Sequence, residues 1–117
     1  MAFPTPFDVK AHVHDGLAVV SVVGELDIAT ASRLSHLLTE LAEPGRVVLV
    51  DLSDTDFMDS TGIAELAIAC KHQRELGGDL ILDAPNRAVS KVIEISGLDR
   101  VMTVTSGPER PSPSESR

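Results

Sequence analysis

Residues 46–66 read "RVVLVDLSDTDFMDSTGIAEL". The opening "RVVLVDL" is short, β-branched and unbroken, the pattern of a buried strand. An acidic loop follows. A helical pattern then runs from about Gly62 to Leu76, with Ile63, Leu66, Ala67 and Cys70 on one stripe. A buried strand that leads through a loop into an amphipathic helix is the repeating unit of an α/β sheet. Two adjacent hydroxyls, Ser60 and Thr61, lie at the loop-to-helix junction.

The flanking sequence extends the same alternation. In "DVKAHVH", residues 8–14, Val9, Ala11 and Val13 share one face, as in a half-buried strand. Asp15-Gly16 separates it from the apolar run "LAVVSVV", which is a hairpin signal. "GELD", residues 24–27, ends the second strand, and Leu34, Leu37, Leu38 and Leu41 then recur at helical spacing. Asp27 and Thr30 are both candidate N-caps of that helix, and Pro44-Gly45 stops it. Gly77-Gly78 ends the second helix, and "DLILD" reads as another strand. Pro85 suits the first position of a third helix with Val89, Val92 and Ile93 on its apolar face. Ser96-Gly97 ends that helix, and "VMTV" at 101–104 reads as a last edge strand.

The order β-β-α-β-α-β-α-β predicts a single α/β domain. Its mixed sheet should have four to five strands, an N-terminal antiparallel hairpin and about three to four helices. The sequence leaves open whether the crossovers cover one face of the sheet or both. Residues 1–7 are expected to form an N-terminal arm and 8–105 the domain. The Pro/Ser-rich segment 106–117 is expected to be a disordered polar tail.

Composition narrows the function classes. The 117 residues are 43% hydrophobic but only 3% aromatic, so the core must be built from Val, Leu, Ile and Ala. Cys70 is the single cysteine and has no internal disulfide partner, which fits a reducing compartment. There is no basic start with an apolar stretch behind it, and no apolar run near 20 residues. The expectation is a cytoplasmic protein with no membrane partner. The net charge of −8, with scattered cations, argues against nucleic acid and for basic or mixed-charge protein partners.

The junction itself admits several chemistries. A hydrolase nucleophile would need a G-x-S-x-G elbow and a base in reach, but the string is M-D-S-T-G and no histidine has triad spacing. A phosphate cradle needs several glycines and a lysine, whereas Asp51, Asp54, Asp56 and Asp59 surround a single Gly62. A calcium loop starting at Asp54 fails, because Met58 and Asp59 occupy ligand and glycine positions. No catalytic residue, metal site or cofactor is therefore expected. Helix capping remains, since Asp, Ser and Thr are all good N-caps. The Ser-x-x-Glu box is missing, with Ile63 and Ala64 at the third positions after Ser60 and Thr61. At least one hydroxyl should thus be free beside a helix N-terminus, where an added phosphoryl group is tolerated.

Several of these motifs together resemble one family. "GELD" with Thr30-Ala31, "VVLVDLSDTDFMDSTGI", the Gly77-Gly78-x-Leu80 segment and "SGL" at 96–98 are similar to the STAS-domain anti-sigma factor antagonists of bacteria. The resemblance spans about residues 8–105 and implies a STAS-like fold without enzymatic activity. It implies partner switching: the unmodified antagonist binds an anti-sigma factor, itself an ATP-binding serine kinase, and so releases the sigma factor. Phosphorylation at the position of Ser60 would block binding, and a serine phosphatase would reverse it. By the same resemblance, Asp27, Asp59, Ser60, Thr61 and Gly62 form the partner-binding surface of a monomer or weak dimer. Ala64 departs from the pattern, since many members carry a second glycine there. The alternative expectation is a STAS scaffold or adaptor subunit of another signalling or transport complex.

Overall fold

A ten-residue strand organises the sheet. The computed structural model describes residues 5–107, so most of the expected tail, 108–117, lies outside the described residues. Strand β1 (Asp8–His14) pairs antiparallel with the long β2 (Leu17–Leu26), from Asp8 opposite Val23 to His14 opposite Leu17. This is the hairpin that Asp15-Gly16 signals. Helix α1 (Ala31–Leu41) leads to β3 (Val47–Asp51), and helix α2 (Ser60–Glu75) leads to β5 (Asp79–Asp83). Helix α3 (Arg87–Ser96) and a 3-10 turn (Leu98–Arg100) lead to β6 (Thr103–Thr105). The main sheet runs β1-β2-β3-β5-β6, and its last four strands are parallel.

Strand order decides which face the helices cover. The chain steps across the sheet in one direction, and right-handed crossovers taken in one direction leave every helix on the same side. Accordingly α1 packs on α2 and α2 on α3. Ala18, Val20 and Val22 of β2 are buried beneath them, while Val19, Ser21 and Val23 between them are only half-buried. The same holds in β3, where Val48 and Val50 are buried but Val47, Leu49 and Asp51 are not. Its unbroken apolar run therefore does not mean a strand covered on both faces.

The core is aliphatic, as the composition requires. Leu34 and Leu38 of α1, Leu66 and Cys70 of α2, and Val89 and Ile93 of α3 form one buried cluster with Val20, Val50 and Leu82. Each fully buried Leu, Ile or Val contributes roughly 1.5–3 kcal/mol, most of which offsets chain entropy. Gln73 is a buried polar residue in α2. Its amide donates to the carbonyls of Glu43 and Arg46 at 2.7 and 2.9 Å, tying the end of α2 to the α1–β3 turn.

Four local expectations are corrected. The loop expected after β3 contains a sixth strand, β4 (Thr55–Met58), lying beside the far end of β2. Four residues with a single-sided neighbour give no clear alternation, so the strand is invisible to periodicity. Its register shifts at Gly24, whose φ of +94° is a glycine conformation. A Cβ at Gly24 would also meet Phe7 Cα and Thr5 O at 3.1 Å, so the incoming chain is allowed past only by a bare residue. Second, α2 starts at Ser60, not Gly62. Third, α3 starts at Arg87, not Pro85, because the Asn86 side chain caps it by accepting from the Val89 amide at 2.8 Å. The last strand lies two residues later than 101, because the 3-10 turn intervenes.

Candidate functional site

Strand β4 brings two sequence motifs to one place. Leu26 pairs with Met58, and the next amide, Asp59 N–H, donates to the Leu26 carbonyl at 3.1 Å. The loop that begins at Asp27 therefore leaves the sheet beside the first turn of α2. Both lie at the carboxyl ends of parallel strands, where α/β sheets place their functional loops.

The Asp27 loop is held by its own side chains. The Asp27 carboxylate accepts the Ala29 amide at 3.0 Å. The Thr30 hydroxyl donates to the Glu25 carbonyl at 2.7 Å and accepts the Asp27 amide at 2.9 Å. Thr30 occupies the N-cap position of α1, but its hydroxyl reaches back into the loop and makes no capping bond. The Asp27 carbonyl accepts from Thr30 and Ala31. Of the two expected caps, then, Asp27 and Thr30 together brace the turn rather than either capping by its side chain.

At α2 the capping question has a definite answer. Asp59 is the N-cap, and its Oδ1 accepts from Thr61 N at 2.9 Å and Gly62 N at 3.2 Å. No hydroxyl is needed for this work. Ser60 is exposed and Thr61 half-buried, and neither hydroxyl has a hydrogen-bond partner among the described residues. Gly62 is buried, and a Cβ there would stand 2.8 Å from Leu26 Cγ and 3.0 Å from Met58 Cγ. Gly62 thus offers a partner no side chain; it lets the helix start lie flat against the ends of β2 and β4.

The expected site residues Asp27, Asp59, Ser60, Thr61 and Gly62 are brought together. Glu25, Asp54 and Asp56 are further exposed carboxylates on the segments that lead into this junction. None of Glu25, Asp27, Asp54, Asp56 or Asp59 has an ion-pair partner among the described residues. No group of three or more potential metal ligands gathers among the described residues, and none of their helices is long and apolar enough to cross a membrane. Sequence reasoning missed two members of this surface. Ile28 is 80% exposed and Phe57 48%. The signal for Ile28 was present: an isoleucine between a loop aspartate and an alanine, outside any helix or strand period.

The fold and sequence have counterparts among known proteins. The STAS domain family matches residues 8–110. The chain belongs to the STAS-domain family of anti-sigma factor antagonists. It is 30% identical over 102 residues to the anti-sigma-B factor antagonist of Bacillus subtilis, covering 87% of this chain and 92% of that one. The corresponding protein of Staphylococcus aureus (strain NCTC 8325 / PS 47) is 29% identical, over 87% of this chain and 95% of its own. The crystal structure of an anti-sigma factor antagonist from Mycobacterium paratuberculosis superposes with a TM-score of 0.81 at 26% identity, covering 93% of each chain. These relatives are named as antagonists of another regulator and not as enzymes, in keeping with the non-enzymatic role expected of this STAS domain. The mixed sheet, its N-terminal hairpin and its three helices are the family's fold.

Proposed function

We propose that this STAS domain, unphosphorylated, binds an anti-sigma factor that is also an ATP-dependent serine kinase, and so releases the sigma factor. Binding uses the surface around Asp27, Asp59, Ser60 and Thr61, with Gly62 shaping it from below. The kinase transfers the γ-phosphoryl group of ATP to Ser60 Oγ, which loses its proton, and ADP leaves. A serine phosphatase restores the free hydroxyl by hydrolysis.

The observation that carries this reading is the uncommitted Ser60 hydroxyl. It is exposed, while Asp59 does the capping, so the hydroxyl can be modified without removing a bond that holds the helix. The energetics favour a switch at the interface. A phosphoserine adds about −1.5 to −2 charges among carboxylates that have no ion-pair partner among the described residues. Like charges juxtaposed in an interface cost several kcal/mol, and a hundredfold loss of affinity needs only about 2.7 kcal/mol. The helix dipole meanwhile favours the phosphate by roughly 0.3–1 kcal/mol.

The experiment is incubation with the anti-sigma factor kinase of the same genome and ATP, followed by mass spectrometry of the Ser60 peptide and a binding assay. Ser60→Ala should bind and take no phosphate, and Ser60→Asp should bind weakly. Phosphate on Thr61 in the Ser60→Ala protein would show that the acceptor is misassigned. Co-purification with a transporter ATPase instead of a kinase would favour an adaptor role.

A further inference from the structure

Two large apolar side chains stand in water on the segments that lead into the Ser60 junction. Ile28, 80% exposed, follows Asp27, and Phe57, 48% exposed, pairs with Glu25 across β2 and β4 three residues before Ser60. Neither belongs to the core, and each forgoes the burial that Ile and Phe ordinarily gain. Their backbones are nonetheless fixed. The Ile28 loop is closed by the Asp27 carboxylate and the Thr30 hydroxyl. Strand β4 is fixed at Thr55, whose buried hydroxyl donates to the Val22 carbonyl at 2.8 Å and whose carbonyl accepts from Asn86 Nδ2 at 2.9 Å. Apolar groups held on rigid backbone lose little freedom on binding, which is the economy of a preorganised contact.

Charge states what kind of surface would cover them. Glu25, Asp27, Asp54, Asp56 and Asp59 lie on the same segments as the pair, with Glu25 directly opposite Phe57, and none has an ion-pair partner among the described residues. No cation occurs in residues 24–32 or 51–62. A phosphate-rich or acidic surface would be repelled by these groups, and a basic one attracted.

We propose that Ile28 and Phe57 are the apolar anchors of the partner-binding surface, seated in an apolar pocket of a protein partner whose rim carries Lys and Arg. This rests on the proposed function, in which that protein is the anti-sigma factor. The carboxylates steer the encounter and the two anchors slow its reversal.

The test is the affinity of the full chain for the anti-sigma factor of the same genome, measured by calorimetry and by stopped-flow mixing. Ile28→Ala and Phe57→Ala should each weaken binding about thirtyfold, mainly through faster dissociation, with Ile28→Leu restoring most of the loss. Ile68→Ala and Ile95→Ala, at sites 63% and 77% exposed but away from the junction, should bind like the wild type. The association rate should fall as salt is raised. All four residues are exposed, so melting curves should match the wild type and separate lost contacts from lost fold. If the wild type binds and both anchor variants bind as tightly, the anchors are refuted and the proposed function stands. An equal loss in Ile68→Ala or Ile95→Ala also refutes them. If the wild type itself fails to bind, the proposed function fails and takes the anchors with it.

Discussion

Leu26 lies directly against Gly62: a Cβ on that glycine would stand 2.8 Å from Leu26 Cγ and 2.9 Å from Leu26 Cδ2, with Met58 Cγ at 3.0 Å. Replacing Gly62 by Ala would raise intrinsic helix propensity by about 0.8–1 kcal/mol. Overpacking a tight core contact costs about 1–3 kcal/mol. Leu26 and Met58 are essentially inaccessible, so neither can swing aside into solvent. The clash should win, and Gly62→Ala should lose about 1 kcal/mol by chemical denaturation. Because the displaced element is the start of α2, partner binding should weaken as well. A stabilised Gly62→Ala protein would mean that the helix start has room that the contact distances deny.

That contact also shows where the sequence was legible and where it was not. The β-α units could be read from apolar runs and glycine stops, and "DLILD" occupies Asp79–Asp83 as expected. Strand β4 could not be read, since its reason for existing is the far end of β2, thirty-odd residues earlier in the chain. The one-sided cover of the sheet was equally hidden, because strand order and not strand composition decides it. At the site, the motifs named Asp27 and Ser60, but only the pairing of Leu26 with Met58 makes them neighbours. Pro85 misled because a proline can stand just before an N-cap as well as just after one, and the Asn86 side chain settled the matter.

Asp59 combines two roles that substitution can separate. Its Oδ1 accepts two amides of α2, and its charge has no ion-pair partner among the described residues. Asp59→Ala removes both and should cost about 1 kcal/mol of stability, within the 0.5–2 kcal/mol range for cap removal. Asp59→Asn keeps a capping oxygen and removes only the charge. Its melting curve should stay close to the wild type, while its association with a basic partner should slow and lose part of its salt dependence. Equal destabilisation by Asn and Ala would show that charge against the helix dipole, and not the two hydrogen bonds, sets the contribution of Asp59.

Phosphorylation at Ser60 should leave the fold intact. The phosphate would sit at the first helical residue, where the dipole favours it by roughly 0.3–1 kcal/mol, and nearby carboxylates offset part of that gain. The melting temperature of the phosphorylated protein should therefore be unchanged or raised by no more than about 5 °C. Its far-ultraviolet circular dichroism should match that of the unmodified protein. A marked fall in melting temperature with loss of helical signal would make the switch an unfolding of α2 and not a failure of interface charge.

At the other end of α2, an ion pair gives the domain its own acid sensitivity. Arg74 Nε donates to Asp79 Oδ1 at 2.8 Å, and Arg74 also donates to the Val101 carbonyl at 2.7 Å, linking α2, β5 and the approach to β6. Partial burial opposes ionisation of Asp79. The Arg74 hydrogen bond, the Leu80 amide at 2.8 Å and the Arg74 charge outweigh it and hold the carboxyl below its usual range. A carboxylate with a folded-state pKa below its unfolded value near 3.9 contributes stability that is present above that value. That contribution is lost as pH falls through the folded-state pKa. Asp79→Asn keeps an oxygen acceptor but not the charge, so it should melt below the wild type at neutral pH. The gap should hold down to about pH 5 and close as pH falls below about 4. Both side chains are partly solvent-exposed, so added salt should narrow the gap at neutral pH. A gap that persists unchanged into strong acid would mean that the carboxylate's shape, and not its charge, is what Arg74 holds.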